Sequence, residues 1–591
     1  MKRGILLVPV LAAALIGVQG LPAGADPPAT AAIANVGSPA TVTPPNHQNE
    51  PAVAVDANHP NILVAGSNDY IDQPVCPADF VASNGSCDAF AAGIGLTGVY
   101  FSFDSGHTWT QPTYTGWTGR NCPPVSTCPG EFGPIGTLPW YYESGLVSDG
   151  DPTVAIGPKP GPNGFSWANG SRVYYGNLTS AFRPAFPNPT FRGFEALAVS
   201  RLDDPTPARV QQKSSWKPPV IVDTRSSQTA FEDKDQIWAD NAASSPFFGR
   251  VYMCAAQFRS NSIHPQANAP APLEVAVSPD GGDTWRTKQL TPAGTGGHGP
   301  IMFGLSGCTV RTTSTGVVYL FAQMFENPAL VGLPTHSFHV VFTSTDGGAS
   351  WSKMQTLFRT TDPCSFIDPI YGRCVMDGYA GARTDLSAAP SVDIANGAPT
   401  GAGATNTIVD SWVDGTFNAE KAMVAFLRNG SWSTPVPASL PGDRPIYAAP
   451  AISPTGDRAY VVYEAVTSPW RGADMTSPRP YHGVLLTAAV PATGNATWTT
   501  EYVGPTGDIR ASYPGHDLYQ ERIGDYVYAA ATRTYGVGVY LDASNAEVCP
   551  AIQAFRASSL AAGHRTLPAP YPPSACPATF GNTDVVSVTT G

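Results

Sequence analysis

The chain has 591 residues, which is long for one compact two-layer domain but suits a repeat array or a closed ring of sheets. It contains 59 glycines and 59 prolines but only 13% charged residues, which indicates many turns and few exposed helices. The net charge of −12 argues against nucleic acid or an acidic membrane surface as a partner, but it is compatible with Ca²⁺ or a neutral sugar as a ligand.

Residues 1–25 have the pattern of a secretory signal peptide. A basic start at Met1-Lys2-Arg3 precedes an apolar stretch from Ile5 to Val18 and a small-residue cleavage site at Ala23-Gly24-Ala25. The apolar stretch is shorter than the roughly 20 residues that span a bilayer. We therefore expect a secreted, extracellular mature chain that does not insert into a membrane.

Ten cysteines occur in this expected extracellular setting, where an even number indicates disulfides rather than a metal site. Eight of them form close sequence pairs, which predicts local loop staples, although spacing alone does not fix the connectivity. The close pairs are Cys76 and Cys87, Cys122 and Cys128, Cys364 and Cys374, and Cys549 and Cys576, with Cys254 and Cys308 remaining.

An alternating apolar phrase followed by a turn and a second strand recurs seven times along the chain. β-Branched and aromatic residues dominate the phrase, and Gly, Pro, Asn and Asp separate its parts, which is typical of strands and turns. The seven copies begin at Glu50–Val55, Asp151–Ile156, Asp235–Ala239, Cys308–Val310, Ala389–Val392, Ala449–Ile452 and Gly524–Val527.

A second hairpin follows six of these copies and ends in Ser-Trp or Thr-Trp, at Trp109, Trp216, Trp285, Trp351, Trp432 and Trp498. Each unit therefore holds about four strands, as a propeller blade does. We predict an all-β fold: a single β-propeller of four-stranded blades over residues 49–591, with seven blades favoured over six. The seventh unit lacks the tryptophan hairpin, so residues 26–48 or the tail Asp584–Val588 are candidates for the strand that closes the ring.

Three of the hairpins carry a longer pattern in which an aspartate, a glycine two positions later and the tryptophan keep a fixed spacing. The aspartate can accept N–H groups of its own turn, and the glycine supplies a positive φ. The pattern resembles the Asp-box (BNR) repeat of sialidase-like β-propellers, and the resemblance implies a structural role away from the ligand site. Its residues are Asp104, Gly106 and Trp109; Asp280, Gly282 and Trp285; and Asp346, Gly348 and Trp351.

The same resemblance suggests a chemistry to look for. Sialidases hold the substrate carboxylate with three arginines and use a tyrosine activated by a glutamate, with an aspartate as acid/base. The F/Y-R-I-P phrase that usually carries the first arginine is absent, and Asn49-Glu50-Pro51 stands in its place. The remaining catalytic candidates, which otherwise are ordinary strand-end residues, are Arg383, Arg444 with Tyr447, and Glu521 with Arg522.

Residues at the starts of inner strands face the central channel in propellers, and here most of them are acidic. Crowded carboxylates raise one another's pKa, which allows an acid/base pair, or they attract a cation such as Ca²⁺. Alternatively each one caps its own turn or pairs with Lys234, Arg383 or Arg522. The predicted channel-mouth residues are Glu50, Asp149, Asp151, Glu232, Asp233, Asp235, Asp385 and Asp525.

Two principal functions stay open at this point. The first is a secreted monomer that binds an extracellular glycan or polysaccharide at the acidic mouth without a required cofactor, with Trp140, Tyr141 and Tyr142 as stacking surfaces. The alternative is a glycoside hydrolase of exo-α-sialidase type. A scaffold for a protein partner is a third hypothesis, for which the sequence offers nothing specific.

Overall fold

A computed structural model gives an all-β chain with a few short helices. It describes residues 1, 28–39, 43–87, 92–182, 191, 193, 195–223, 230–259, 271–292, 302–326, 331–370, 372–376, 383–472, 474–512, 518–519 and 523–591.

Seven antiparallel sheets form the blades, numbered here in chain order. Strand β1 (Thr30–Ile33) belongs to the last blade. Blade 1 contains β2 (Gln48–Val55), β3 (Leu63–Asp69) and β4 (Thr97–Ser102), and a separate hairpin follows it, formed by β5 (Tyr114–Thr118) and β6 (Glu131–Ile135). Blade 2 contains β7 (Leu146–Pro158), β10 (Ser171–Ala181), β11 (Ala196–Asp203) and β12 (Trp216–Ile221), with the small hairpin β8 (Pro160–Gly161) and β9 (Gly164–Phe165) between its first two strands.

Blades 3 and 4 are regular four-stranded sheets. Blade 3 contains β13 (Ala230–Ala239), β14 (Val251–Arg259), β15 (Leu273–Ser278) and β16 (Arg286–Gln289). Blade 4 contains β17 (Met302–Thr312), β18 (Val318–Glu326), β19 (His336–Ser344) and β20 (Gln355–Thr361), and the hairpin β21 (Phe366–Ile367) and β22 (Cys374–Val375) follows it.

The last three blades complete the ring. Blade 5 contains β23 (Ser391–Ile394), β24 (Ile408–Asp414), β25 (Lys421–Arg428), β26 (Ser431–Trp432) and β27 (Val436–Pro437). Blade 6 contains β28 (Arg444–Ile452), β29 (Arg458–Val466), β30 (Pro480–Ala489), β31 (Thr499–Val503) and β32 (Gly507–Asp508). Blade 7 contains β33 (Tyr528–Ala531), β34 (Gly536–Asp542), β35 (Asp584–Thr589) and β1.

Short helices lie in the connections between strands. The α-helices are α1 (Ala78–Asn84), α2 (Pro207–Val210), α3 (Pro550–Ala562) and α4 (Pro572–Ala575). Single 3₁₀ turns occupy Tyr70–Asp72, Tyr142–Ser144, Trp167–Asn169, Lys213–Ser215 and Ile509–Ala511. None of the helices within the described ranges is long and apolar enough to cross a bilayer.

The innermost strands surround one axis. Strands β2, β7, β13, β17, β23, β28 and β33 contact one another in cyclic order, and β33 returns to β2. Each of the seven recurring phrases lies on or directly before one of these strands. The prediction of an all-β propeller with seven blades rather than six is confirmed, with four strands in blades 2, 3, 4 and 7, three in blade 1 and five in blades 5 and 6.

The ring closes by pairing the two ends of the described chain. Strand β1 lies antiparallel to β35, with Thr30 opposite Thr589 and Ile33 opposite Val586. Both candidate stretches therefore contribute to blade 7, the tail as its third strand and the N-terminal segment as its outermost. Because β1 covers the free edge of β35, it removes an unpaired row of backbone groups that would otherwise invite aggregation.

Asn35, directly beyond β1, fastens this closure by three buried hydrogen bonds. Its amide nitrogen donates to Oδ1 of Asp584 and to Oε1 of Gln48, both at 2.9 Å, and its oxygen accepts from the N–H of Val585 at 2.7 Å. One side chain thus joins the N-terminal segment, blade 1 and the C-terminal strand.

Six tryptophans pack at equivalent places around the ring. Each of them follows the third strand of its blade and lies in the apolar layer shared with the preceding blade. An indole buries a large apolar area at each of these boundaries. The set is Trp109, Trp216, Trp285, Trp351, Trp432 and Trp498.

The three aspartate turns, centred on Asp104, Asp280 and Asp346, share one hydrogen-bond pattern. In the first, the Asp104 carboxylate accepts from the backbone N–H of Thr108 at 2.9 Å and from its hydroxyl at 2.6 Å. The hydroxyl of Ser350 and the backbone around it lower the pKa of Asp346 to about 2. The glycines have positive φ as expected, namely Gly106 (87°), Gly282 (84°) and Gly348 (89°). These turns follow the third strands of blades 1, 3 and 4, so they lie at the opposite end of the blades from where the inner strands begin.

Five disulfides link all ten cysteines. Four of them join the close sequence pairs, as local staples would. The fifth joins Cys254 on β14 to Cys308 on β17, and it connects blade 3 to blade 4. That bond is a link between sheets rather than a loop staple, because the two cysteines meet only when neighbouring blades pack together.

Replacing Asn35 tests how much the ring depends on its closure. We expect Asn35→Ala to lower the free energy of unfolding by about 2–4 kcal/mol, because buried partners in three segments lose their hydrogen bonds. Asn545 donates to Oδ2 of the same Asp584 at 3.0 Å but is exposed, so Asn545→Ala should cost about 0.5 kcal/mol or less. Equal losses of unfolding free energy for the two variants in chemical denaturation would contradict the role of Asn35 in closing the ring.

Candidate functional site

Four consecutive blades carry the same irregularity where the inner strand begins. In β2, β7, β13 and β17 the register of pairing with the second strand shifts, as at a β-bulge. The residue at each shift has a left-handed backbone: Glu50 (φ 56°), Asp151 (49°), Lys234 (58°) and Gly307 (56°). A charged residue in that region costs about 1–3 kcal/mol, and such strain concentrates at functional sites.

Asp525, which precedes β33, is the centre of the charge network at this mouth. Its Oδ1 accepts from Nε of Arg383 at 2.8 Å, and its Oδ2 accepts from Nζ of Lys234 at 2.6 Å and from Nη2 of Arg383. The carboxylate is fully buried. One acidic side chain therefore holds the cations of blade 3 and of the segment before blade 5.

The other mouth carboxylates surround the same two cations. Lys234 Nζ lies 3.2 Å from Oδ2 of Asp151 and 3.3 Å from Oδ1 of Asp233. Arg383 lies 3.3 Å from Asp385 and 3.9 Å from Glu50. Burial would lower the pKa of Lys234, but Asp151, Asp233 and Asp525 outweigh it and raise that pKa well above its ordinary value. The ammonium therefore stays charged and acts as an internal counter-ion.

An amide orients the strained residues of blades 1 and 2. Asn68 on β3 donates from Nδ2 to Oε2 of Glu50 at 2.8 Å, and its Oδ1 accepts from the backbone N–H of Asp151 at 2.6 Å. Because Asn68 is itself buried, it fixes both left-handed residues relative to one another.

Three further carboxyl groups at the blade 2 and blade 3 side hold buried oxygens without a hydrogen-bond partner. These oxygens are Oδ2 of Asp149, Oε2 of Glu195 and both carboxyl oxygens of Asp235. Burial raises the pKa of Asp149 to about 7, and burial together with the charge of Asp149 raises that of Glu195 well above its usual range. Burial, with Asp151 and Asp233 nearby, likewise raises the pKa of Asp235. The group retains protons near neutral pH and has unused hydrogen-bonding capacity.

A small cavity of about 60 Å³ lies beside this network, inside the channel. Carboxyl, ammonium and phenol groups line it together with apolar atoms of blades 4 to 6. The lining residues with polar side chains include Lys234, Asp235, Tyr447, Asp525, Tyr526 and Tyr528. Its size admits a hydroxyl-bearing arm of a ligand rather than a whole sugar ring.

The predicted catalytic residues do not all meet at the mouth. Arg383 is there, and Tyr447 donates its hydroxyl to the backbone carbonyl of Arg383 while lying 3.4 Å from Asp525. Burial raises the pKa of Tyr447 well above its usual value. Arg444 is instead buried against Glu420, with Nε and Nη2 at 3.0 and 2.9 Å from its two oxygens. Glu521 and Arg522 lie outside the described residues.

The predicted acidic residues divide into three places. Five of them contact the two mouth cations, namely Glu50, Asp151, Asp233, Asp385 and Asp525. Asp149 and Asp235 belong to the protonated group beside these cations. Glu232 lies apart from both.

Glu232 forms, with Asp223 and Glu274, the one set of three metal-ligand side chains among the described residues whose oxygens lie within 4.8 Å of one another. Burial and the two neighbouring carboxylates raise the pKa of Glu232 to about 8. This set could hold a cation between blades 2 and 3, but the mouth carboxylates do not form such a group.

The aromatic residues that were candidates for sugar stacking are engaged within the fold. Tyr141 is buried, and Lys213 covers the ring of Trp140 at 4.6 Å. Tyr142 stacks on Trp117 with ring centroids 4.4 Å apart.

Sequence reasoning missed two members of the site. Lys234 was considered only as a pairing partner, although it occupies the repeat position of Glu50 and Asp151 and an alignment of the inner-strand starts would have found it. Glu195 follows no repeated phrase, and only the folded chain brings it beside Asp149.

Comparisons with known proteins find architectural likeness alone. No family model and no curated protein matches this chain. Similar solved structures include Hadza microbial sialidase Hz136, at 13% identity over 71% of this chain and 63% of that chain with a TM-score of 0.38. Trypanosoma rangeli sialidase with the inhibitor DANA matches at 11% identity over 75% and 55%, with a TM-score of 0.37. An ulvan lyase of polysaccharide lyase family PL25 matches at 9% identity over 84% and 92%, with a TM-score of 0.41. The matched part is less than two thirds of both sialidase chains.

Removing the central ammonium tests the charge network. We expect Lys234→Met to destabilise the fold by about 3–5 kcal/mol near pH 8, because three carboxylates lose their buried counter-ion. Lys213→Met, which removes a partly exposed lysine paired with Glu143, should cost about 1 kcal/mol or less. Equal losses of unfolding free energy for the two variants in chemical denaturation at this pH would refute this account.

Proposed function

We propose that this protein is a secreted, sialidase-like Asp-box propeller that binds a neutral, hydroxyl-rich extracellular glycan at the acidic mouth of its channel. The observation that carries the proposal is the strained arrangement of Glu50, Asp151 and Lys234, held in the left-handed region at equivalent bulges around one opening. A fold has no structural need to repeat that strain, so a ligand is its simplest explanation.

The charge balance of the mouth favours a ligand without negative charge. Five carboxylates surround Lys234 and Arg383, and Asp525 already engages both of these cations by short hydrogen bonds. A sialic or uronic acid would therefore meet a net negative field and would have to displace Asp525 from Arg383. A neutral sugar meets neither obstacle.

Unpaired carboxyl oxygens supply the hydrogen bonds that a sugar needs. Three carboxyl groups have a buried oxygen without a hydrogen-bond partner, namely those of Asp149, Asp235 and Glu195. Such oxygens can accept hydrogen bonds from the hydroxyl groups of a sugar. Asp235 also lines the mouth cavity. Binding would then satisfy polar groups whose burial otherwise costs free energy.

Secretion and a metal-free mode belong to the same proposal. Five disulfides suit an oxidising extracellular space, and they accompany the signal-peptide pattern of residues 1–25. Lys234 Nζ lies among the carboxylates where a Ca²⁺ ion would otherwise be drawn. We therefore expect binding without a required cofactor, and we include a monomeric state in the proposal.

The test measures binding by calorimetry to pairs of polysaccharides that share a similar backbone, one neutral and one carrying carboxylate groups. Each titration is repeated in the presence of a calcium chelator. We expect binding to a neutral member, unaffected by the chelator, and a loss of about tenfold (roughly 1.4 kcal/mol) in Asp235→Asn. Asp283→Asn makes the same change in an aspartate turn at the other end of blade 3 and should leave affinity unchanged. Preference for the acidic polysaccharides, or equal affinity of both variants, would remove the basis of the proposal.

A glycoside hydrolase is the second candidate, and the pair Asp149 and Glu195 favours it. Two neighbouring carboxyls, of which Glu195 keeps its proton to higher pH than Asp149, form the kind of acid/base pair that cleaves glycosidic bonds. An exo-α-sialidase is less suited to this geometry, because Arg383 is engaged by Asp525 and Tyr447 is buried with a raised pKa.

This candidate predicts turnover of neutral aryl glycosides that falls as pH drops below about 7, because Asp149 then gains a proton and no longer acts as the base, while Glu195 keeps the proton that an acid catalyst donates. Asp149→Asn and Glu195→Gln should each reduce the rate by about 100-fold or more. Chromogenic assays from acid to mildly alkaline pH measure this directly. The hydrolase hypothesis is wrong if the protein cleaves no glycoside but still binds a neutral glycan.

A further inference from the structure

The far end of the channel, opposite the acidic mouth, contains a second and larger cavity of about 200 Å³. The later halves of the inner strands form its walls, and most of the wall side chains are apolar. These include Val53, Val55, Ile156, Ile237, Ile394 and Ile452. We refer to this cavity as the chamber.

A loop of blade 5 lies across the end of the chamber. It comprises residues 395–407, between β23 and β24, and its residues Asn396, Ala398 and Pro399 line the cavity. Nε1 of Trp167 in blade 2 and the N–H of Ala243 in blade 3 both donate to the carbonyl of Pro399, at 3.1 and 2.9 Å.

Two other blades hold the same loop. Nη2 of Arg533 in blade 7 donates to the carbonyls of Gly397 and Ala402, both at 2.9 Å. Asn406 in the loop donates to Oγ of Ser314 in blade 4 at 2.9 Å. The loop is thus anchored to four blades besides its own, which fixes the position of its residues that line the chamber.

One arginine and one aspartate supply the charge inside the chamber. Arg311 stacks its guanidinium over Trp238 at 4.6 Å, and its Nη1 donates to Oε1 of Gln236 at 2.6 Å and to the carbonyl of Val310 at 2.8 Å. Its side chain is 11% exposed, yet its Nε makes no hydrogen bond and lies 3.5 Å from Oδ1 of Asp393. The guanidinium edge that faces Asp393 therefore keeps donor capacity.

Burial affects both partners of this loose pair. It lowers the pKa of Arg311 and raises that of Asp393, while each charge partly offsets the effect on the other. Asp393 already accepts the backbone N–H of Ile452 through Oδ2 at 2.9 Å, so Oδ1 is the oxygen left to pair with a further donor. The chamber thus offers a donor and an acceptor side by side against apolar walls.

We propose that the chamber is a second ligand site, which takes a small uncharged molecule bearing a primary amide on an apolar body. The amide carbonyl accepts from the guanidinium of Arg311, and the amide N–H donates to Oδ1 of Asp393. A carboxylate or an ammonium ligand would pair with one of these two charges but be repelled by the other and would lose its hydration on burial, whereas an uncharged amide can pair with both. A cavity of about 150 Å³ holds benzene, so this volume suits a ring with one short polar group.

The site does not depend on the glycan proposal, because Arg311 and Asp393 pair with one another and not with the mouth carboxylates, although Gln236 and Tyr528 line both cavities. Benzamide is the probe, and benzoate is its charged isostere. We expect saturation-transfer NMR with the full-length mature protein to detect benzamide, with benzoate at least tenfold weaker. Arg311→Met should abolish the benzamide signal. Arg250→Met should not, because Arg250 instead donates to the carbonyl of Gly347 in an aspartate turn.

A second variant keeps the test decisive if Arg311→Met does not fold. Asp393→Asn removes the repelling charge, so the discrimination against benzoate should fall towards parity while thermal unfolding stays cooperative. The proposal is overturned if no benzamide signal is seen, if benzoate binds the unaltered protein as well as benzamide does, or if Asp393→Asn leaves the discrimination unchanged.

Discussion

Two-sided burial of radial sheets is the constraint on which the rest of this structure depends. Each blade packs one face on the preceding blade and the other on the next, and a tryptophan lies in the shared layer at six of the boundaries. A single blade could not bury both faces, so stability requires a closed ring. Strand β1 and Asn35 supply that closure by joining the first described residues to the last strand. The inner strands then have fixed positions about one axis, which allows side chains from distant parts of the sequence to meet.

The mouth network follows from that closure combined with a local irregularity. A regular inner strand would alternate its side chains between the two neighbouring blades, and few of them would face the axis. The bulges at Glu50, Asp151 and Lys234 interrupt the alternation and bring charged side chains together at the opening. Asp525 can then hold Lys234 and Arg383 at once, across almost 300 residues of sequence. The folded chain tolerates the backbone strain and the buried charges because the packed blades on either side hold these residues in place.

How far the sequence predicts this protein depends on whether a feature repeats. The blades were predictable because their strand phrases and tryptophans recur, and the geometry of Asp104, Asp280 and Asp346 follows from local turn chemistry alone. The acidic character of the mouth was also predictable, since it lies at repeated strand starts. The position of Lys234 repeats in the same way, but its ion pair with Asp525 and the approach of Glu195 to Asp149 depend on contacts between blades that no local pattern encodes. Arg444 is the opposite case, because its repeated position predicts a place at the mouth. Its guanidinium instead donates to Glu420 of the preceding blade and does not join the mouth network.

The two ends of the channel differ because the inner strands change character along their length. At their beginnings the bulges place carboxylates and cations around the opening, and unpaired carboxyl oxygens favour hydroxyl donors. Towards their ends the strands are regular and apolar, and the only close charges lining the described part of the chamber are Arg311, Asp393 and Arg533. The loop of blade 5 uses Arg533 for its own anchoring, which leaves Arg311 and Asp393 to meet a ligand. One set of seven strands therefore builds two chemically distinct sites, and the polarity of each is decided by where the strand departs from regular pairing.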